Sequence, residues 1–102
     1  MLLVMFRGGL CAYDFKVGDV CYNVISRMEP FMVDVTYEEY PSVKNYEGVS
    51  TLNIPETVTY NDTTYEVTSI GITAFYDCKS LTNVSIPNSV NYMGDSVFYQ
   101  CI

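Results

Sequence analysis

Residues 74–102 read AFYDCKSLTNVSIPNSVNYMGDSVFYQCI, and this stretch repeats itself. FYDC at 75–78 returns as FYQC at 98–101. Phe75 and Phe98 are 23 residues apart, and so are Cys78 and Cys101, Gly71 and Gly94, Val67 and Val90, and Tyr76 and Tyr99. Ile70 answers Met93, Thr73 answers Ser96, and Ala74 answers Val97. One fixed offset carrying this many matches marks a stacked repeat, in which neighbouring units bury one another.

A second echo lies upstream. STLNIPETV matches TNVSIPNSV, with Ile54-Pro55 answering Ile86-Pro87 at an offset of 32. The nine extra residues fall near TYNDTTYEV, where Tyr60 and Tyr65 flank Asn61-Asp62-Thr63-Thr64. Asn and Asp suit a tight turn, so a hairpin insertion is expected near 59–67.

The repeats have a strand register. In Leu81-x-x-Val84-x-Ile86 and Val49-x-x-Leu52-x-Ile54 the apolar residues alternate inward. Pro55 and Pro87 mark strand ends, where a residue without an N–H is tolerated. Gly71 and Gly94 are expected to turn the chain at positive φ. TAFYDC and SVFYQC then form short helical or irregular returns. The expected core is Val67, Ile70, Ala74, Phe75, Cys78, Leu81, Val84 and Ile86 from one coil, with Val90, Met93, Val97, Phe98 and Cys101 from the next.

These residues resemble the BspA-like leucine-rich repeats, whose phrase is Leu-x-x-Ile-x-Ile-Pro-x-x-Val, then Ile-Gly, Ala-Phe and Cys. The match covers Val49 to Ile102, with Val97 standing where Ala is usual and Met93 where Ile is usual. YDFKVGDVCYNVI at 13–25 resembles the N-terminal cap that precedes such repeats. The resemblance implies secreted or surface-attached bacterial proteins that contact a protein ligand, host matrix or other cells. It implies no catalysis.

The fold class expected is mainly β: an N-terminal β-hairpin cap leading into a short leucine-rich-repeat solenoid. Residues 1–12 read as a degenerate signal-peptide remnant, against the alternative of a buried N-terminal strand. Residues 13–48 form the β cap, with a hairpin across Gly18-Asp19 and a third strand in FMVDVTYEEY, covering the first coil and shielding its edge. Residues 49–102 hold the repeats. Only about two coils are present, and Ile102 follows Cys101 directly. The expectation is a fragment or truncated product whose open apolar edge at Phe98 and Cys101 leaves self-association available.

Composition narrows function. Of 102 residues, 49% are hydrophobic and 17% charged, with a net charge of −7. That charge opposes nucleic acid and anionic membranes, and no stretch is long enough to span a bilayer. Histidine is absent, which removes Ser-His and Cys-His nucleophile pairs and His metal sites. Glu38 and Glu39, adjacent on a strand, would point to opposite faces and form no acid/base pair. No catalytic residue, metal site or cofactor is expected. Cys78 and Cys101 read as buried thiols rather than a bridge, and Cys11 and Cys21 are too isolated for a cysteine framework. The sequons at Asn61 and Asn83 read as chance matches. Tyr76 and Tyr99 stack on the return face, where packing against neighbouring coils competes with a role as interface anchors.

The candidate binding residues are Thr51, Asn53, Asn83 and Ser85, small polar side chains on the concave strand face, where solenoids usually make contact. A merely solvated sheet is the alternative. A non-binding structural cap that initiates a longer solenoid is the second functional reading.

Overall fold

A computed structural model describes residues 13–38 and 45–98. The signal-like residues 1–12, Glu39, Tyr99 and Cys101 lie outside the described residues. The fold is mainly β. Among the described residues eight strands follow in order: β1 (Phe15–Val17), β2 (Val20–Ser26), β3 (Met32–Thr36), β4 (Thr51–Asn53), β5 (Thr57–Tyr60), β6 (Thr63–Ile70), β7 (Asn83–Ser85) and β8 (Tyr92–Met93).

They form two sheets. The larger runs β1-β2-β3-β6-β5, with β8 also paired to β6; the smaller is β4-β7. β1 and β2 are antiparallel across Gly18-Asp19, and Gly18 alone of the two has positive φ, 61°. Glycine first in a two-residue turn gives the backbone twist that antiparallel strands need. β5 and β6 form the second hairpin. Its turn is the two residues Asn61 and Asp62, at φ 52° and 66°, a pair that Asn and Asp adopt at low cost. Thr59 and Thr64 face each other across this hairpin, and their hydroxyls hydrogen-bond at 2.8 Å.

The two sequence offsets become two ladders. β4 and β7 pair in parallel with Leu52 opposite Val84, an offset of 32. β6 and β8 pair in parallel with Ile70 opposite Met93, an offset of 23. The β5–β6 hairpin takes up the difference. β3 pairs in parallel with the other edge of β6, with Val35 opposite Ile70. The cap thus supplies the rung that precedes β6. The hydrogen bonds repeat as well: Gly71 N–H donates to Val35 O at 2.7 Å, and one coil on Gly94 N–H donates to Ile70 O at 2.8 Å.

The returns are turns, and no helix occurs among the described residues. Gly71 and Gly94 do not adopt positive φ; Thr73 and Ser96 do, at 56° and 59°. Each lies two residues after its glycine. The glycines serve close approach instead. A Cβ on Gly94 would sit 2.5 Å from Ile72 N and 2.7 Å from Ile72 Cα, and one on Gly71 would sit 3.3 Å from Val35 O. Coil stacking therefore requires the missing side chain.

The core is one cluster. Val67, Ile70, Ala74, Phe75 and Cys78 are buried, together with Val33 and Val35 of β3, Leu52 and Ile54. Leu81, Val84 and Val90 pack against it partly buried. Ile86, Met93 and Phe98 are exposed, against the expectation that they lie inside. A coil buries its residues against the neighbours on either side; Val97 turns back onto the preceding coil and is buried, while among the described residues no further coil covers Ile86, Met93 and Phe98. The aromatics of the cap were not foreseen in the core. Phe15 stacks on Tyr60 at 4.4 Å and packs on Tyr22 at 5.5 Å, which brings β1 beside β5 and draws the larger sheet towards closure.

Candidate interaction face

The smaller sheet presents the four candidate side chains. Leu52 in the middle of β4 is buried, while Thr51 and Asn53 on either side are exposed. In β7, Asn83 and Ser85 are exposed and Val84 between them is half-buried. The register sets Thr51 opposite Asn83 and Asn53 opposite Ser85. The parallel ladder thus gathers a two-by-two patch of hydroxyls and amides, uncharged and without acid/base character. Directly paired side chains on one face of a sheet lie within mutual reach.

The patch is held from behind. Ser50 O accepts from Thr82 N–H at 2.8 Å and from Asn83 N–H at 3.1 Å, and Thr82 Oγ1 also donates to it at 3.0 Å. Ile54 N–H donates to Ser85 O at 3.0 Å. Pro55 and Pro87 lie two residues past their strands. Beside β4, the Gly18-Asp19 turn walls a groove of about 300 Å³. The cap covers one edge of the coils, where β3 pairs with β6. Its strands extend the larger sheet, and among the described residues no cap strand pairs with the edge of β4.

Sequence reasoning missed a second constellation. Asn45 and Tyr46 are buried and tie the cap to the coils. Tyr46 Oη donates to Thr36 O at 2.7 Å and accepts from Cys21 N–H at 3.1 Å. Burial pushes its phenol well above the usual range, so it remains a donor. The available signal was positional: Tyr46 stands 32 residues before Cys78, in the slot the next coil fills with a cysteine.

One further group carries a perturbed charge. Asp34 on β3 has Oδ1 buried without a hydrogen-bond partner. Its pKa rises from 3.8 to about 6, chiefly through burial, with Asp14 adding repulsion and the Asn23 main chain opposing. The folded state therefore holds the proton more tightly than the unfolded one, and stability falls as pH rises from about 4 through 6. The full shift would correspond to roughly 3 kcal/mol, which partial exposure and solvent screening reduce to about 1–2 kcal/mol. Asp34→Asn is expected to stabilise the protein at pH 7 and to flatten this slope. Urea titrations at pH 4, 5, 6 and 7 check it, and parallel curves for both proteins would contradict it.

Among the described residues, no group of three or more His, Cys, Asp or Glu is placed to hold a metal ion. No described helix is long and apolar enough to cross a membrane.

With the ladders in view, comparison with known proteins is direct. Residues 44–102 match the family model described as BspA type leucine rich repeat region (6 copies). The chain belongs to the BspA-type leucine-rich repeat family. No curated protein matches it. Two solved structures are similar. One is a leucine-rich repeat protein from Bacteroides ovatus ATCC 8483, with 32% identity over 87% of this chain and a TM-score of 0.67. The other is a leucine rich cell surface protein from Faecalibacterium prausnitzii A2-165, with 18% identity over 85% of this chain and a TM-score of 0.51, a likeness of fold. The chain spans 21% of the first and 28% of the second. A BspA-type repeat protein is in general a protein-interaction module, and family members are generally not enzymes.

Proposed function

We propose that the chain is a secreted or surface-exposed leucine-rich-repeat protein that adheres to a protein partner, such as a host matrix component, through the β4–β7 face. The observation that carries this reading is the four-residue patch. Thr51, Asn53, Asn83 and Ser85 are all exposed and in register, while the residue between each pair turns inward. The name of the Faecalibacterium protein, a leucine rich cell surface protein, supports the surface assignment. Small polar side chains offer hydrogen bonds while losing little side-chain entropy on docking.

The test is adhesion. The wild-type chain and the double variant Asn53→Arg with Asn83→Arg are compared on surfaces coated with purified matrix proteins. The charged, bulky side chains are expected to weaken retention by roughly tenfold or more, with an unchanged Tm. Equal retention by a folded variant would sink the reading. A wild type that binds no surface would leave a purely structural cap as the better account.

A further inference from the structure

We propose that the free edge of β4 takes an extended segment of the partner as an added strand. This rests on the reading of the β4–β7 face given above and specifies how the partner enters. Main-chain groups alternate sides along a strand. Ser50 O and Ile54 N–H both bond to β7 or the residues leading into it. Ser50, Leu52 and Ile54 therefore aim their main chain at β7, and Thr51 and Asn53 aim theirs the opposite way. Among the described residues, β7 is the only strand paired with β4. The outward N–H and C=O groups of Thr51 and Asn53 thus form an open hydrogen-bonding edge.

That edge is not bare to bulk solvent. The groove of about 300 Å³ runs along it, with Thr51, Leu52 and Asn53 on one side and the turn from Val17 to Val20 on the other. No β7 residue lines it, which places it on the side of β4 away from the ladder. Tyr22 and Leu52, both almost fully buried, are among the residues that line it. Val17 is 36% exposed on the wall and offers an apolar contact. An exposed edge strand is ordinarily blunted by a charged side chain, a bulge or a covering segment. Thr51-Leu52-Asn53 has no charge, and the register of the β4–β7 ladder is unbroken. An edge with a partly apolar slot beside it suits strand addition, where main-chain bonds supply affinity and alternate side chains supply selectivity.

The probe is a synthetic peptide with the sequence of residues 81–88, LTNVSIPN, which already pairs with β4 on its other edge. Its binding to the whole chain is followed by fluorescence anisotropy. The wild type is expected to bind with a Kd below about 1 mM. Thr51→Pro removes one outward N–H and leaves the β7 ladder intact, since proline is accepted on a strand edge. It is expected to weaken binding of this peptide by roughly tenfold or more. Two N-methylated peptides provide a test independent of protein folding. One is blocked at the amides equivalent to Thr82 and Val84, the other at Asn83 and Ser85. Strand addition requires one alternating set, so only one of the two should lose affinity. No binding at 1 mM, equal binding by Thr51→Pro, or equal affinity of the two blocked peptides would overturn the proposal. If Asn53→Arg with Asn83→Arg abolishes matrix adhesion while Thr51→Pro leaves it intact, the contact face stands and the edge is discarded.

Discussion

Phe75→Ala is expected to destabilise the protein by about 3–5 kcal/mol, whereas Phe98→Ala, at the equivalent repeat position, costs about 1 kcal/mol. Phe75 is 0% exposed and Phe98 is 42% exposed. Phe75 lies between two rings, 5.5 Å from Tyr46 and 5.5 Å from Phe98. Its removal opens a cavity that neither the coil before nor the coil after can fill without breaking its ladder. Among the described residues Phe98 has one such neighbour, Phe75, and much of its surface already meets water. A domain of this size is stable by about 5–15 kcal/mol. The first substitution therefore removes a large part of that margin and lowers Tm by roughly 15–30 °C, the second by a few degrees. Thermal melts of both variants give the answer. Equal shifts would mean that the repeat position alone, rather than stacking on both sides, sets the energy.

The same contrast shows what the amino-acid sequence could disclose. Offsets of 23 and 32 are properties of the chain, and each reappears as a strand register, Ile70 opposite Met93 and Leu52 opposite Val84. The outward placement of Thr51, Asn53, Asn83 and Ser85 was legible because inward and outward positions alternate in a strand. Burial at Phe75 and exposure at Phe98 were not, because identical residues in identical repeat slots differ only in their neighbours. The glycines misled for a related reason. Gly71 and Gly94 mark either positive φ or close approach, and only packing distinguishes the two; Ile72 against Gly94 decides for the second. The free edge of β4 was hidden too. The hairpin at Gly18-Asp19 was readable, but the sheet it joins depends on β3 meeting β6, a contact between segments about 35 residues apart. The first coil was hardest, since Tyr46 replaces the repeat cysteine and Asn45 the residue before it.

Asn45 carries the second large effect. Its side chain is buried and spans three segments. Oδ1 accepts from Glu38 N–H at 2.6 Å, and Nδ2 reaches Ala74 O at 3.2 Å, Tyr76 O at 3.0 Å and Cys78 Sγ at 3.2 Å. Glu38 returns the contact, accepting from Tyr46 N–H at 2.9 Å and pairing with Lys16 at 2.8 Å. Asn45→Ala strips several buried groups of partners at once. Each stranded group costs about 1–3 kcal/mol, and with partial relaxation the loss is expected near 3 kcal/mol. Tyr46→Phe strands Thr36 C=O and Cys21 N–H and is expected to cost about 2 kcal/mol. Asn45→Asp discriminates the mechanism. It keeps the volume and the acceptor but turns the donor that faced Ala74 O and Tyr76 O into a negative oxygen. At pH 7 it should destabilise at least as much as Asn45→Ala. As pH falls, protonation of the new carboxyl restores a donor, so its stability relative to wild type should recover towards pH 4. Denaturant titrations at pH 7 and pH 4 separate this from simple loss of packing, under which Asn45→Asp would stay close to wild type at pH 7. That outcome would show that the amide of Asn45 is incidental to the junction, which the β3–β6 ladder and the Tyr46 hydroxyl would then hold without it.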